Sequence, residues 1–71
     1  LDPKTYFQEQ AQEKLGITPT YRVISEVGPD HDKTFTVGVY LGTEQVAAGT
    51  GSSKQAAQVS AAHNAIREKG W

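Results

Sequence analysis

Gly49-Thr50-Gly51-Ser52-Ser53-Lys54-Gln55-Ala56-Ala57 decides the fold of this chain. Glycines close an extended segment, a serine caps, and an Ala-rich helix follows through Val59, Ala61, Ala62, Ala65 and Ile66 to a stop at Gly70. Small side chains on that helix let it lie close to a sheet. Either Ser52 or Ser53 serves as the cap, and Ser52 with Gln55 matches a capping box. The same stretch has a chemistry. A helix start offers backbone N–H groups without intrahelical partners and a partly positive dipole end. Glycines let an anion approach the backbone, and Lys54 adds a full charge. Phosphate oxygens fit such a site, although many ordinary helices also begin after Ser and Gly.

The residues before this stretch predict the rest of the fold. Gln45 to Ala48 predicts a third strand, shorter and weaker than its neighbours, with Gly49 to Ser52 as a loop. Leu41-Gly42-Thr43-Glu44 predicts a short reversal. Phe35, Val37 and Val39 alternate with Thr34, Thr36 and Gly38, the pattern of a half-buried strand. Gly28-Pro29-Asp30-His31-Asp32-Lys33 is rich in turn formers. Tyr21 to Val27 is rich in β-formers, with Tyr21 and Val23 on one face and Arg22 on the other. Before it, Asp2-Pro3 opens a helix as cap and first residue, and Gly16 closes it ahead of Pro19. Phe7, Ala11 and Leu15 form its expected buried stripe. The order α-β-β-β-α predicts an α+β fold: a three-stranded antiparallel meander with both helices packed on one face.

Seventy-one residues suit a single domain over 1–71 with a small core, and leave no room for the deep cleft most enzymes need. The chain has no cysteine, which excludes disulfides and thiolate metal sites and is compatible with an expected cytoplasmic location. No apolar run approaches the roughly 20 residues of a membrane-spanning helix. The opening Leu1-Asp2-Pro3-Lys4 carries no basic leader, so no secretory signal is expected there. The net charge of −1 speaks against a strongly basic nucleic-acid binder, though local distribution outweighs the sum.

Two further segments bear on function. On a helix of about 100° per residue, Gln8, Glu9 and Gln12 fall within roughly 60° of Thr5, opposite Phe7 and Ala11. That face offers hydroxyl, amide and carboxylate groups, suited to ribose 2′-hydroxyls and minor-groove edges; an ordinary solvated face looks the same. His31 stands near the tip of the Gly28–Lys33 loop, where a flat imidazole can enter a shallow groove, with Asp30 and Asp32 as electrostatic counterweights. Asp30, His31 and Asp32 lie too close in sequence to converge on a metal, and His63 is expected at the surface of a distant helix. No nucleophile stands beside a base, and the Gly-x-Gly follows an antiparallel strand, unlike a dinucleotide fingerprint.

Asp2 to Glu9, Gly28 to Phe35 and Gly49 to Lys54 together resemble the double-stranded RNA-binding domain, most of all the one that ends bacterial ribonuclease III. The resemblance covers nearly the whole chain, in order. It implies the α-β-β-β-α fold and three RNA-contacting regions. Thr5, Gln8, Glu9 and Gln12 would enter one minor groove, and Pro29, Asp30 and His31 the next. Ser53, Lys54 and Gln55 would meet phosphates across the major groove between. Such domains read A-form shape over roughly 16 base pairs. The family usually carries a second lysine where this chain has Gln55, and often a basic residue where it has Gln58. A weak binder with a shallow salt dependence is therefore expected.

The resemblance also implies that nuclease chemistry lies outside these residues. A separate nuclease domain would dimerise and hold Mg²⁺, while this domain would need no cofactor, catalyse nothing and be monomeric in isolation. A degenerate module of the same fold that mediates protein–protein contacts is the alternative. Near-neutral charge and Gln55 favour that alternative; Gln8, Glu9, His31 and Lys54, present together, argue against it.

Overall fold

The computed structural model describes residues 2–71. Helix α1 spans Pro3–Leu15, strands β1, β2 and β3 span Thr20–Val27, Thr34–Leu41 and Glu44–Gly51, and helix α2 spans Lys54–Lys69. The strands form one antiparallel sheet in the order β1-β2-β3. This is the expected meander, with α2 packed against β3 and β2 and α1 packed against α2.

Both helices begin and end where the sequence signals them. The Asp2 carboxylate accepts from Lys4 N at 2.9 Å and from the Thr5 hydroxyl at 2.6 Å. The Thr5 hydroxyl bond, with the Lys4 N–H bond second, holds the Asp2 carboxyl below its ordinary range. Gly16 and Gly70 close the helices with left-handed backbones. Ser53, not Ser52, is the cap of α2, and its Oγ accepts from Ala56 N at 3.0 Å. The Ser52–Gln55 capping box is therefore not formed: capping by Ser53 makes Ala56 the residue whose N–H is satisfied.

The core joins Phe7 and Ala11 of α1, Val39 and Leu41 of β2, and Ala61, Ala62 and Ala65 of α2. Full burial of a valine or phenylalanine contributes about 1.5–3 kcal/mol, so this short list carries much of the stability. Leu15 departs from the expected stripe and is 49% exposed. A four-residue step overshoots a full turn by about 40°, so two steps from Phe7 carry Leu15 roughly 80° off the core-facing direction. Trp71 takes a place that its position after the helix stop does not announce. Its ring stacks on Phe7 with centroids 5.5 Å apart, and its carbonyl accepts from the Tyr6 hydroxyl at 2.7 Å. The end of α2 is thereby fastened to the middle of α1.

Strand β3 is as long as its neighbours, against the expectation of a short strand over Gln45–Ala48. Gly49 and Gly51, expected in a loop, pair with Val37 and Phe35. Glycine has low strand propensity, but here the missing side chain is the requirement. A Cβ on Gly49 would collide with the backbone of Ser60 and Ala61, and one on Gly51 would stand 2.6 Å from Ala57 N. Alanines on α2 and glycines on β3 together set the close approach of helix to sheet.

Tyr21 of β1 packs on the edge of the core, and its hydroxyl is buried without a partner among the described residues. Burial, with the charge of Asp2 adding to it, pushes the phenol up to about 12. An unfolded tyrosine titrates near 10. The folded pKa is the higher one, so this contribution to stability is complete below about pH 10 and is lost as pH rises towards 12. Tyr21→Phe has no such proton and no orphaned hydroxyl. It should match or exceed the parent's stability at pH 7, and its advantage should widen between pH 10 and 12 in urea unfolding. A parent that loses no stability relative to Tyr21→Phe across that window would contradict the assignment.

Candidate nucleic-acid interface

The exposed side of α1 carries Thr5, Gln8, Glu9 and Gln12, as the helical spacing predicts. Their freedom to bind differs. The Thr5 hydroxyl spends its proton on Asp2, so toward a ligand it acts as an acceptor. Gln12 Nε2 donates to the Thr18 hydroxyl at 2.5 Å, and its carbonyl oxygen has no hydrogen-bond partner among the described residues. Gln8 and Glu9 make no side-chain hydrogen bond among the described residues. They supply the donors and acceptors of this face.

The β1–β2 loop is built on a turn in which Asp32 N donates to Pro29 O at 2.9 Å, so Asp30 and His31 form its tip. Pro29, Asp30 and His31 are all exposed. Lys33 lies 3.2 Å from Glu26 and 3.6 Å from Asp30. These exposed ion pairs contribute about 0–1 kcal/mol, but they engage the loop's one lysine with two carboxylates. His31 is left as the loop's projecting donor or acceptor.

At the start of α2, Ser53, Lys54 and Gln55 are exposed. The Ala56 and Ala57 N–H groups are satisfied by the Ser53 side chain and carbonyl. Those of Lys54 and Gln55 have no partner among the described residues and stand at the positive end of the helix dipole. Two free N–H donors, the Ser53 hydroxyl proton and the Lys54 ammonium make a cradle for an anion.

Sheet register relates the three regions. Val27 pairs with Thr34, which puts the β1–β2 loop at one end of the sheet. Phe35 pairs with Gly51, so β3 leaves the sheet at that same end and leads into α2. From the other side, Lys4 at the start of α1 donates to Gln58 of α2 at 2.6 Å. The start of α2 thus stands between the loop and the first helix. No spacing rule joins Lys4 to Gln58 in sequence, and this contact is visible only in the fold. His63 is exposed, as expected. Among the described residues no group of three or more His, Asp or Glu side chains is placed to hold a metal ion, and no helix is long and apolar enough to cross a membrane.

The double-stranded RNA binding motif family matches residues 3–69. Ribonuclease 3 of Natranaerobius thermophilus is 43% identical over 67 residues, covering 94% of this chain and 29% of that protein. Ribonuclease 3 of Myxococcus xanthus is 47% identical over 68 residues, covering 96% of this chain and 26% of that protein. The chain therefore spans under a third of the length of these relatives. A solved chain of Arabidopsis HYL1 superposes with a TM-score of 0.81 at 32% identity, covering 97% of both chains. Fold, residue pattern and relatives agree, and the chain belongs to the double-stranded RNA binding motif family.

Proposed function

We propose that these residues bind A-form duplex RNA by shape. In this reading α1 enters one minor groove through Gln8, Glu9, Thr5 and Gln12. The loop enters the next through Pro29, Asp30 and His31. Ser53, Lys54 and Gln55 meet the phosphates between. The observation that carries the reading is the position of the α2 start between the other two regions, with free N–H donors and Lys54 turned outward. A phosphate site flanked by two polar faces without free lysines suits a duplex read there by its 2′-hydroxyls. The relatives' names support a ribonuclease III parent, in which this domain would hold substrate for a separate nuclease domain. Mg²⁺ and dimerisation would belong to that domain, and the cytoplasm would be the site of action. Tethering raises the effective RNA concentration at the nuclease centre, so a weak module suffices there.

The alternative, a module for protein contacts, gains a structural observation beside the near-neutral charge and Gln55. Ile24 and Val27 of β1 are 49% and 64% exposed. Chemical-shift perturbation with a duplex RNA separates the two. RNA binding predicts shifts at Gln8, His31 and Lys54 together, with β1 little affected. An absence of shifts in all three regions would remove the RNA reading and favour the protein-contact one.

A further inference from the structure

We propose that Lys4 is a further phosphate-contacting residue, positioned by Gln58, so that the first helix supplies a charge that the second helix lacks. This inference rests on the RNA-binding reading above. Lys4 Nζ donates to Gln58 Oε1 at 2.6 Å. It also stands 5.1 Å from the centroid of the Tyr21 ring, which holds the ammonium from a second side. Gln58 follows Lys54 by one helical turn, so Lys4 is brought to the side of α2 that carries Lys54. On α1, Lys4 precedes Gln8 by one turn and so borders the polar face. The ammonium therefore lies between the minor-groove face and the phosphate cradle, where a duplex spanning both brings its backbone.

Its partners hold it without neutralising it. An amide oxygen and an aromatic face orient an ammonium and leave its full charge, whereas Lys33 is engaged by the carboxylates of Glu26 and Asp30. No carboxylate lies within ion-pair distance of Lys4 Nζ among the described residues. Asp2 is the nearby acid; its oxygens are bound to Lys4 N and the Thr5 hydroxyl, and the attraction of Lys4 is the smallest of the influences on it. A basic side chain at position 58 would repel Lys4. The glutamine there accepts from it instead, and acts as a positioning residue.

The test is a salt titration of duplex-RNA binding for the parent, Lys4→Met, Lys4→Arg, Gln58→Ala and Lys54→Ala. Methionine keeps an unbranched stem beside Tyr21 and removes the charge. Lys4→Met should lower the slope of log K against log salt by about 0.7–0.9, and Lys4→Arg should restore it. Gln58→Ala should weaken binding several-fold while the slope stays near the parent's, because the charge remains and only its placement is lost. Lys4→Gln, which keeps a donor for Gln58, serves as the second charge-removing variant, and thermal melting confirms folding of each. A folded Lys4→Met or Lys4→Gln with the parent's slope, beside a Lys54→Ala that lowers it, overturns the role of Lys4 and leaves the RNA reading intact. A parent that does not bind duplex RNA overturns both.

Discussion

Gly49→Ala is expected to destabilise the fold by about 3 kcal/mol, at the upper end of what overpacking by one methyl costs. In a domain of this size that lowers the melting temperature by roughly 12–24 °C. The added Cβ has nowhere to go: it meets the backbone of α2 at Ser60 and Ala61, and a backbone held in helical hydrogen bonds cannot step aside alone. Either α2 lifts from the sheet, and the contacts of Ala61, Ala62 and Ala65 with β2 loosen, or β3 gives way. Gly38→Ala is the control on the opposite face of the same sheet. There the new methyl meets the tips of Ile24 and Tyr40, at 2.8 Å and 3.0 Å. Those ends can rotate away, so the loss should be a fraction of that at Gly49. Thermal unfolding by circular dichroism decides. A Gly49→Ala domain that melts within a few degrees of the parent would mean that helix and sheet are not locked at this distance.

The largest binding effect is expected from Lys54→Ala. A hydrogen bond to a charged group contributes about 1.5–3 kcal/mol, so its loss should weaken duplex binding at least tenfold. The salt slope should fall by about 0.7–0.9, since one fewer counterion is released. Gln55→Lys should act in the opposite sense. Its backbone N–H already stands in the cradle, and a second ammonium there should strengthen binding and steepen the slope by a similar amount. Neither change touches the core, because both side chains are exposed. Melting curves should therefore match the parent's. Unchanged affinity and slope in both variants would place the phosphate contact elsewhere.

Signals that act locally were legible in the sequence. Asp2-Pro3 and Gly16 mark the ends of α1 through backbone hydrogen bonding that neighbouring residues satisfy. The alternation of Phe35, Val37 and Val39 fixes which face of β2 is buried. Every candidate residue of the three regions, from Thr5 to Gln55, is exposed, and on α1 the helical spacing alone put Thr5, Gln8, Glu9 and Gln12 on one face. What was not legible depends on contacts between distant segments. The second half of β3 reads as a loop because Gly49 and Gly51 lack strand propensity, and only the backbone of α2 above them explains the glycines. Leu15 keeps the four-residue spacing of the stripe and still leaves the core, because that spacing overshoots the turn. Trp71 packs on Phe7, and Lys4 reaches Gln58, across nearly the whole length of the chain. Of the two serines before α2, Ser52 carries the capping-box pattern with Gln55, yet Ser53 caps the helix, its Oγ accepting from Ala56 N.

Function follows the same division. The residue types of the three regions are in the sequence. Their common geometry is a product of register: Val27 against Thr34 and Phe35 against Gly51 bring the loop and the α2 start to one end of the sheet. The net charge of −1 misleads when taken as a sum. Lys33 is offset by Glu26 and Asp30, whereas Lys54 and Lys4 keep their charge beside the proposed phosphate path.

Shape-selective RNA binding is tested by a salt titration of binding to a duplex RNA of about 16–20 base pairs, with duplex DNA of the same sequence as control. Shape reading of an A-form duplex predicts salt-sensitive binding to the RNA and little to the DNA, with a shallow slope set by few lysines. Equal binding to both duplexes, or no RNA binding by the folded domain at low salt, would contradict it.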